Sequence, residues 1–182
     1  MAKEERMRVT LEFDPNCVEW RFLEVAAAVT TDSDFLERLL EFVEHHPNYK
    51  GYHTYCDAEP ITVFDKITDN LYLNEKTIRK LAENEDECAR GSIARNPNTP
   101  EDVLQKLVED SDNYVVRFLL QNPKLPPEIA DRAVERVTEG EVDDVVYDIE
   151  KILSNPSLST KNCEKLRKWC EEKYPYFKDM ED

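Results

Sequence analysis

From Val103 the apolar positions fall one helical turn apart, as Val103, Leu104, Leu107 and Val108, with Glu101, Gln105, Lys106 and Glu109 between them. Apolar residues at i, i+1, i+4 and i+5 with charge opposite predict a helix that buries one side. Thr99-Pro100-Glu101-Asp102 precedes this run. It reads as a helix start: a capping hydroxyl on Thr99, a proline whose missing N–H costs nothing in the first turn, and acids beside the positive helix end. After Asp112, which can cap, Val116, Leu119 and Leu120 predict a second short helix ending at Asn122-Pro123. Proline there disfavours helix in the residue before it and so sets a corner.

The two-helix pattern returns along the chain. Asn96-Pro97 and Asn122-Pro123 stand 26 residues apart; one period upstream is Asn70, followed by Leu71, and Asn155-Pro156 comes 33 residues after Asn122. The extra residues fall around "VTEGEVDD". Superposed on these corners, one column reads Ile78, Leu104, Ala130 and Cys163, and another Leu81, Leu107, Ala133 and Leu166. Three residues ahead of each corner stand Ile67, Ile93, Leu119 and Ile152; six ahead stand Phe64, Arg90, Val116 and Ile149, in which only Arg90 is polar.

Phe64 and Ile67 make "PITVFDKITDN" the second helix of an earlier pair. "DSDFLERLLEFVEHH" is its first helix, with Phe35, Leu36, Leu39, Leu40 and Val43 as the apolar stripe and Asp32 or Ser33 as cap. Earlier still, Asp14-Pro15 opens a predicted helix with Val18, Phe22, Val25 or Ala26, and Val29 on its buried face. "RVTLEF", residues 8–13, alternates like a strand, but without a partner strand it reads as a cap or an extended arm.

"NPNTPEDVLQKLVEDSDNYVVRFLLQNP", residues 96–123, resembles the variant leucine-rich repeat, a helical repeat similar in appearance to HEAT repeats. Asn-Pro, the Thr-Pro helix start, Leu104, Leu107 and Arg117 carry the resemblance. It is close over 96–135, fair over 70–95 and 155–169, and faint before 70. Asn70-Leu71, the long unit 122–154, and Gly91 and Glu150 in place of arginine depart from it. The resemblance implies an all-α fold, a right-handed α-α superhelix or HEAT-like helical-repeat solenoid, and no reaction. Such pairs need about three or more stacked copies with polar caps at the ends. The expectation is one domain over 1–182: an N-terminal cap 1–31, an irregular repeat 32–69 with loop 47–59, repeats 70–95, 96–121 and 122–154, and a C-terminal capping repeat 155–182.

Composition narrows the function. Three glycines against ten prolines disfavour hairpin-rich β architecture. A net charge of −16 repels phosphate backbones, so direct nucleic-acid binding is not expected, and it favours a basic protein partner or, on charge alone, a role as a nucleic-acid mimic. The five cysteines, with no signal-peptide pattern and no apolar run near the roughly 20 residues of a membrane span, lead us to expect a cytoplasmic protein without membrane attachment. No Gly-rich phosphate loop, nucleophile elbow or metalloprotease helix occurs. The expectation is a non-catalytic module, with no cofactor, whose concave acidic face binds a protein.

Candidate chemistry collects in "EHHPNYKGYHTYCDAEP", residues 44–60. His45, His46, His53 and Cys56 could hold a transition metal, which makes a metal-binding sensor the alternative function. Histidines at a helix end also bond its last carbonyls. Tyr49, Tyr52 and Tyr55 are candidate partner contacts, or rings that fold back to cover the exposed end of the helix stack. Arg21 and Arg117 each begin an Arg-Phe-Leu triplet and are expected to bridge to an acid of a neighbouring pair. Cys88 and Cys163 read as small hydrophobes. Cys163 and Cys170 lie seven apart with no Cys-x-x-Cys in the chain, which argues against an iron–sulfur cluster.

Overall fold

The computed structural model of the chain describes residues 20–45, 59–140 and 144–174. These form α1 (Trp20–Val29), α2 (Ser33–Glu44), α3 (Glu59–Asp69), α4 (Glu75–Ala82), α5 (Glu87–Arg95), α6 (Glu101–Leu107), α7 (Asn113–Leu119), α8 (Pro127–Thr138), a 3-10 helix (Asp144–Asp148), α9 (Ile149–Leu153) and α10 (Thr160–Lys173). The described residues are all-helical and contain no strand. None of their helices is long and apolar enough to cross a membrane.

Short polar side chains start five of these helices. Asp32 accepts from the N–H groups of Asp34 and Phe35 ahead of α2, Asn74 from Thr77, Asp86 from Cys88, Asp112 from Tyr114, and Ser159 from Asn162. The Thr99 cap does not form. Pro100 occupies the N-cap of α6 without a side-chain bond, and the buried Thr99 hydroxyl donates 2.6 Å to the carbonyl of Ile93. The first turn of α6, with Glu101 and Asp102 exposed, can use water, whereas the last carbonyls of α5 are buried and need a protein donor.

Helices pair in chain order: α2 packs on α3, α4 on α5, and α6 on α7. The second helices also meet in order, α1 against α3, α3 against α5, α5 against α7, and α7 against the 3-10 helix. Between them lies the apolar core foreseen from the columns. Ile67, Ile93, Leu119 and Ile152 are fully buried, as are Leu81, Ala133 and Leu166, with Leu107 nearly so. The N-terminal helix departs from its expected phase. Leu23 and Ala27 face the core, while Val25 is 60% and Val29 72% exposed. Every residue of α1 from Phe22 to Val29 except Glu24 is apolar, so periodicity alone could not select its buried side.

The corners are joined by asparagine. Asn70, Asn96, Asn122 and Asn155 are all buried. Each side-chain oxygen accepts the N–H two residues on, that of Tyr72 (2.7 Å), Asn98 (2.8 Å), Lys124 (2.9 Å) and Ser157 (3.0 Å), closing an Asx turn. Each side-chain amide then donates back to the preceding corner. Asn122 Nδ2 reaches Ala94 O (2.8 Å) and Asn96 O (2.9 Å); Asn155 Nδ2 reaches Leu120 O (2.7 Å) and Asn122 O (2.9 Å). Asn96 bonds Thr68 O and lies 3.5 Å from Asn70 O, and Asn70 donates to Ala27 O (2.7 Å) and Thr30 O (3.0 Å). Thr30 itself takes the N–H of Asp32 on its hydroxyl at 3.1 Å. It is a first corner in which threonine stands for asparagine.

Arg90, the outlier of its column, has a structural task. It is largely buried and binds Asp110 through Nε (2.7 Å) and Nη2 (3.1 Å), while Nη1 donates to Asn84 O and Glu85 O beyond the end of α4. Arg136 does the equivalent for Val108 O and Asp110 O beyond α6. Lys76–Glu37 and Arg79–Asp102 link neighbouring first helices, and Arg132 on α8 reaches Glu109 just past α6, each at 2.7 Å; solvent screening leaves such exposed bridges little net energy. The long unit absorbs its extra residues in α8, in a turn with Gly140 at φ 87°, and in the 3-10 helix.

Asn122→Asp tests the corner bonds. The carboxylate keeps the acceptor for Lys124 but loses both donors and faces two carbonyls. We expect a loss of about 2–4 kcal/mol at neutral pH by urea unfolding. The native environment raises the pKa of the new carboxyl, so the folded state binds the proton more tightly and part of the loss returns as pH falls. A loss equal at every pH would contradict this account.

Candidate interaction surface

A position two residues from a buried column lies about 200° round the helix. Residues five and one ahead of each corner therefore line the side of the second helices turned away from the core column three ahead. The first set is Val25, Asp65, Gly91, Arg117 and Glu150; the second is Val29, Asp69, Arg95, Gln121 and Ser154. The corner bonds hold them in register from one helix to the next.

Along this strip, charge and aromatic rings alternate. Arg95 on α5 pairs with Asp69 on α3 at 2.8 Å, and its guanidinium lies 5.2 Å from the centre of the Phe118 ring on α7. Arg117 lies 5.0 Å from the Tyr114 ring and 5.3 Å from that of Phe118. Its Nε is 3.1 Å from Asp148 Oδ2 but not aligned for a hydrogen bond, so the pair is ionic. This is the bridge to a neighbouring acid expected of Arg117. The same residue types at Gly91 would not fit. Tyr114 stacks on Phe118 with centroids 4.4 Å apart, and a Cβ on Gly91 would stand 2.7 Å from Tyr114 Cε1.

Asp65 is the polar exception. It is half-buried, and no hydrogen-bond donor among the described residues reaches its carboxylate. Burial raises its pKa above the ordinary carboxylate value, Arg95 and Lys66 pull it back, and Asp69 pushes it further up. On α1, which packs on α3, stand Val25 and Val29, the most open large apolar side chains of the strip; Leu71 (56% exposed) and Tyr72 (54%) lie at the corner after α3.

The residues singled out from sequence fall elsewhere. His45 is exposed at the C-cap of α2 with Nδ1 2.6 Å from the carbonyl of Glu41, the helix-end bond that histidines favour there. His46, His53, Cys56, Tyr49, Tyr52 and Tyr55 lie outside the described residues, as does the side chain of Arg21. Among the described residues no group of three or more His, Cys, Asp or Glu side chains could hold a metal ion. Cys88 and Cys170 are buried thiols, and burial pushes Cys170 up to about 11; Cys163 is partly buried, with Sγ 3.8 Å from Leu153 O. The strip itself was missed. Recognising Thr30 as a corner, through the Asp32 cap that follows it, would have placed Ala27 in the core column and turned Val25 and Val29 outward.

Two substitutions check this geometry. Gly91→Ala should lower the melting temperature by the equivalent of about 1–3 kcal/mol, and adding Tyr114→Ala should remove most of that further cost in a double-mutant cycle; additive losses would speak against the contact. Asp65→Asn should raise the melting temperature at neutral pH. A carboxyl with a raised folded pKa binds more protons when native, so its stability cost appears as pH rises through that pKa. Calorimetry should show wild type and variant converging below the ordinary Asp range.

No protein-family model, no curated protein and no solved structure matches this chain.

Proposed function

We propose that the chain is a helical-repeat protein of the variant leucine-rich repeat and HEAT-like kind. Its helix pairs stack as a right-handed solenoid, and its role is non-catalytic: the second helices present a concave acidic surface to a basic protein partner in the cytoplasm. The resemblance of residues 96–123 to that repeat supports the architecture, as do the asparagine bonds between successive corners. The net charge of −16 supports the sign of the partner.

One contrast carries the reading. The first helices link charges between neighbouring pairs through Lys76–Glu37, Arg79–Asp102 and Arg132–Glu109, and among the described residues they expose no large apolar side chain. The strip on the second helices instead leaves Val25 and Val29 open beside a half-buried carboxylate. Exposed apolar side chains held on packed helices, with charge at their rim, are what a protein contact uses.

Capture from the native host with the full chain and with Val25→Asp/Val29→Asp tests it. Both side chains are exposed, so the variant should stay folded, with only the modest loss that added carboxylates near Asp65, Asp69 and the C-terminal end of α1 bring. Proteins retained by the wild type and lost with the variant are the expected result. A captured set unchanged by the variant would place binding off the second helices and overturn the proposal.

A further inference from the structure

The strip is not uniform, and its α1–α3 end differs from the rest. At the α5–α7 end Arg95, Arg117, Tyr114 and Phe118 occupy one another, with Asp69 and Asp148 as counter-charges. At the α1–α3 end the corner bonds from Asn70 to Ala27 O and Thr30 O set Thr30 level with Asn70. Counting back from those two corners puts Val25 at the level of Asp65 and Val29 at that of Asp69. An apolar pair at i, i+4 on one helix therefore runs beside a carboxylate pair at i, i+4 on the next.

We infer that this end of the strip is the docking site of an amphipathic, basic helix of a partner protein, its apolar face on Val25 and Val29 and a lysine or arginine of the same helix on Asp65 and Asp69. The inference rests on the interaction reading above and specifies the chemistry of the occupant.

Charge selects that occupant over others. Glu24 precedes Val25 on α1, Asp32 caps α2 just past Val29, and Asp34 stands in the first turn of α2, so the chain on either side of the apolar pair is acidic. The Asp69 carboxylate already has Arg95 at 2.8 Å, whereas Asp65 receives no donor from the described residues. A half-buried carboxylate in that condition gains most from a cation that arrives with its own hydrogen-bond donors. A second copy of this chain would bring a net charge of −16 against the same acidic segments, which disfavours self-association. A helix matches the spacing, because two valines one turn apart present a ridge that side chains at i, i+3 and i+4 of a crossing helix can straddle.

The test selects binders from a displayed library of randomised helical peptides, about 18 residues long, on the full-length chain. Enriched sequences should carry large apolar residues at i and i+3 or i+4, with lysine or arginine flanking them. By fluorescence anisotropy, Val25→Asp/Val29→Asp should weaken the best peptide at least tenfold and Asp65→Asn/Asp69→Asn about five- to tenfold. Glu101→Gln/Glu128→Gln, on exposed positions of the first helices, should leave it within twofold. Failure to enrich any peptide, enrichment of acidic ones, or equal loss with the Glu101 and Glu128 changes would overturn the assignment. With Val29→p-benzoylphenylalanine, an ultraviolet adduct to the peptide supports it, whereas adducts only to a second copy or within the chain overturn it. Loss of host captures with the valine variant, alongside a failed peptide selection, would sink the basic helix while leaving the interaction reading standing.

Discussion

The side-chain amide of a corner asparagine, donating both its N–H bonds to carbonyls of the corner before it, is the constraint on which this molecule depends. A buried amide must place its donors somewhere, and an unpaired one costs about 1–3 kcal/mol. At Asn70, Asn96, Asn122 and Asn155 the carbonyls offered are those left over at the end of the preceding second helix, buried at the last three corners and part-buried at Thr30. One side chain thus closes its own turn, satisfies its neighbour's helix end and sets the distance between the two. Apolar packing of Ile67, Ile93, Leu119 and Ile152 supplies the bulk of the cohesion, but it is non-directional. Direction comes from the amides.

The surface follows from that register. Because corners are bonded to corners, residues at equal distances from them on neighbouring helices come side by side, and the outward strip acquires a pattern that no single helix possesses. Asp69, Arg95 and Phe118 belong to three helices, yet they form one connected set of contacts. Gly91 is part of the same arrangement: by lacking a Cβ it lets Tyr114 lean over α5 and stack on Phe118 beneath Arg117.

Much of the helical pattern is legible from spacing. The apolar columns, the Asp32 and Asp112 caps and the second-helix character of residues around Phe64 and Ile67 follow from period and cap chemistry, which are local. What local pattern could not supply was direction where the chemistry was ambiguous. Helix α1 is apolar on nearly every side, so its buried face was assigned to Val25 and Val29 when packing on α3 selects Leu23 and Ala27. Thr99 looked like a cap because a hydroxyl before proline usually is one, yet the stronger demand came from a carbonyl six residues back. Thr30 was passed over for want of an asparagine, although a hydroxyl can make the same turn. The outward strip was illegible for a related reason: it exists only once the helices are set beside each other.

The 3-10 helix Asp144–Asp148 has a consequence of its own. Asn155 makes the same two bonds to the preceding corner as Asn122 does, although 33 residues separate it from its predecessor and only 26 separate Asn122 from Asn96. Thr30 and Asn70 meet in the same way across 40 residues. Spacer length between corners is therefore a free variable in this architecture. Segments can be lengthened there to carry new recognition elements while the frame that displays them keeps its pitch.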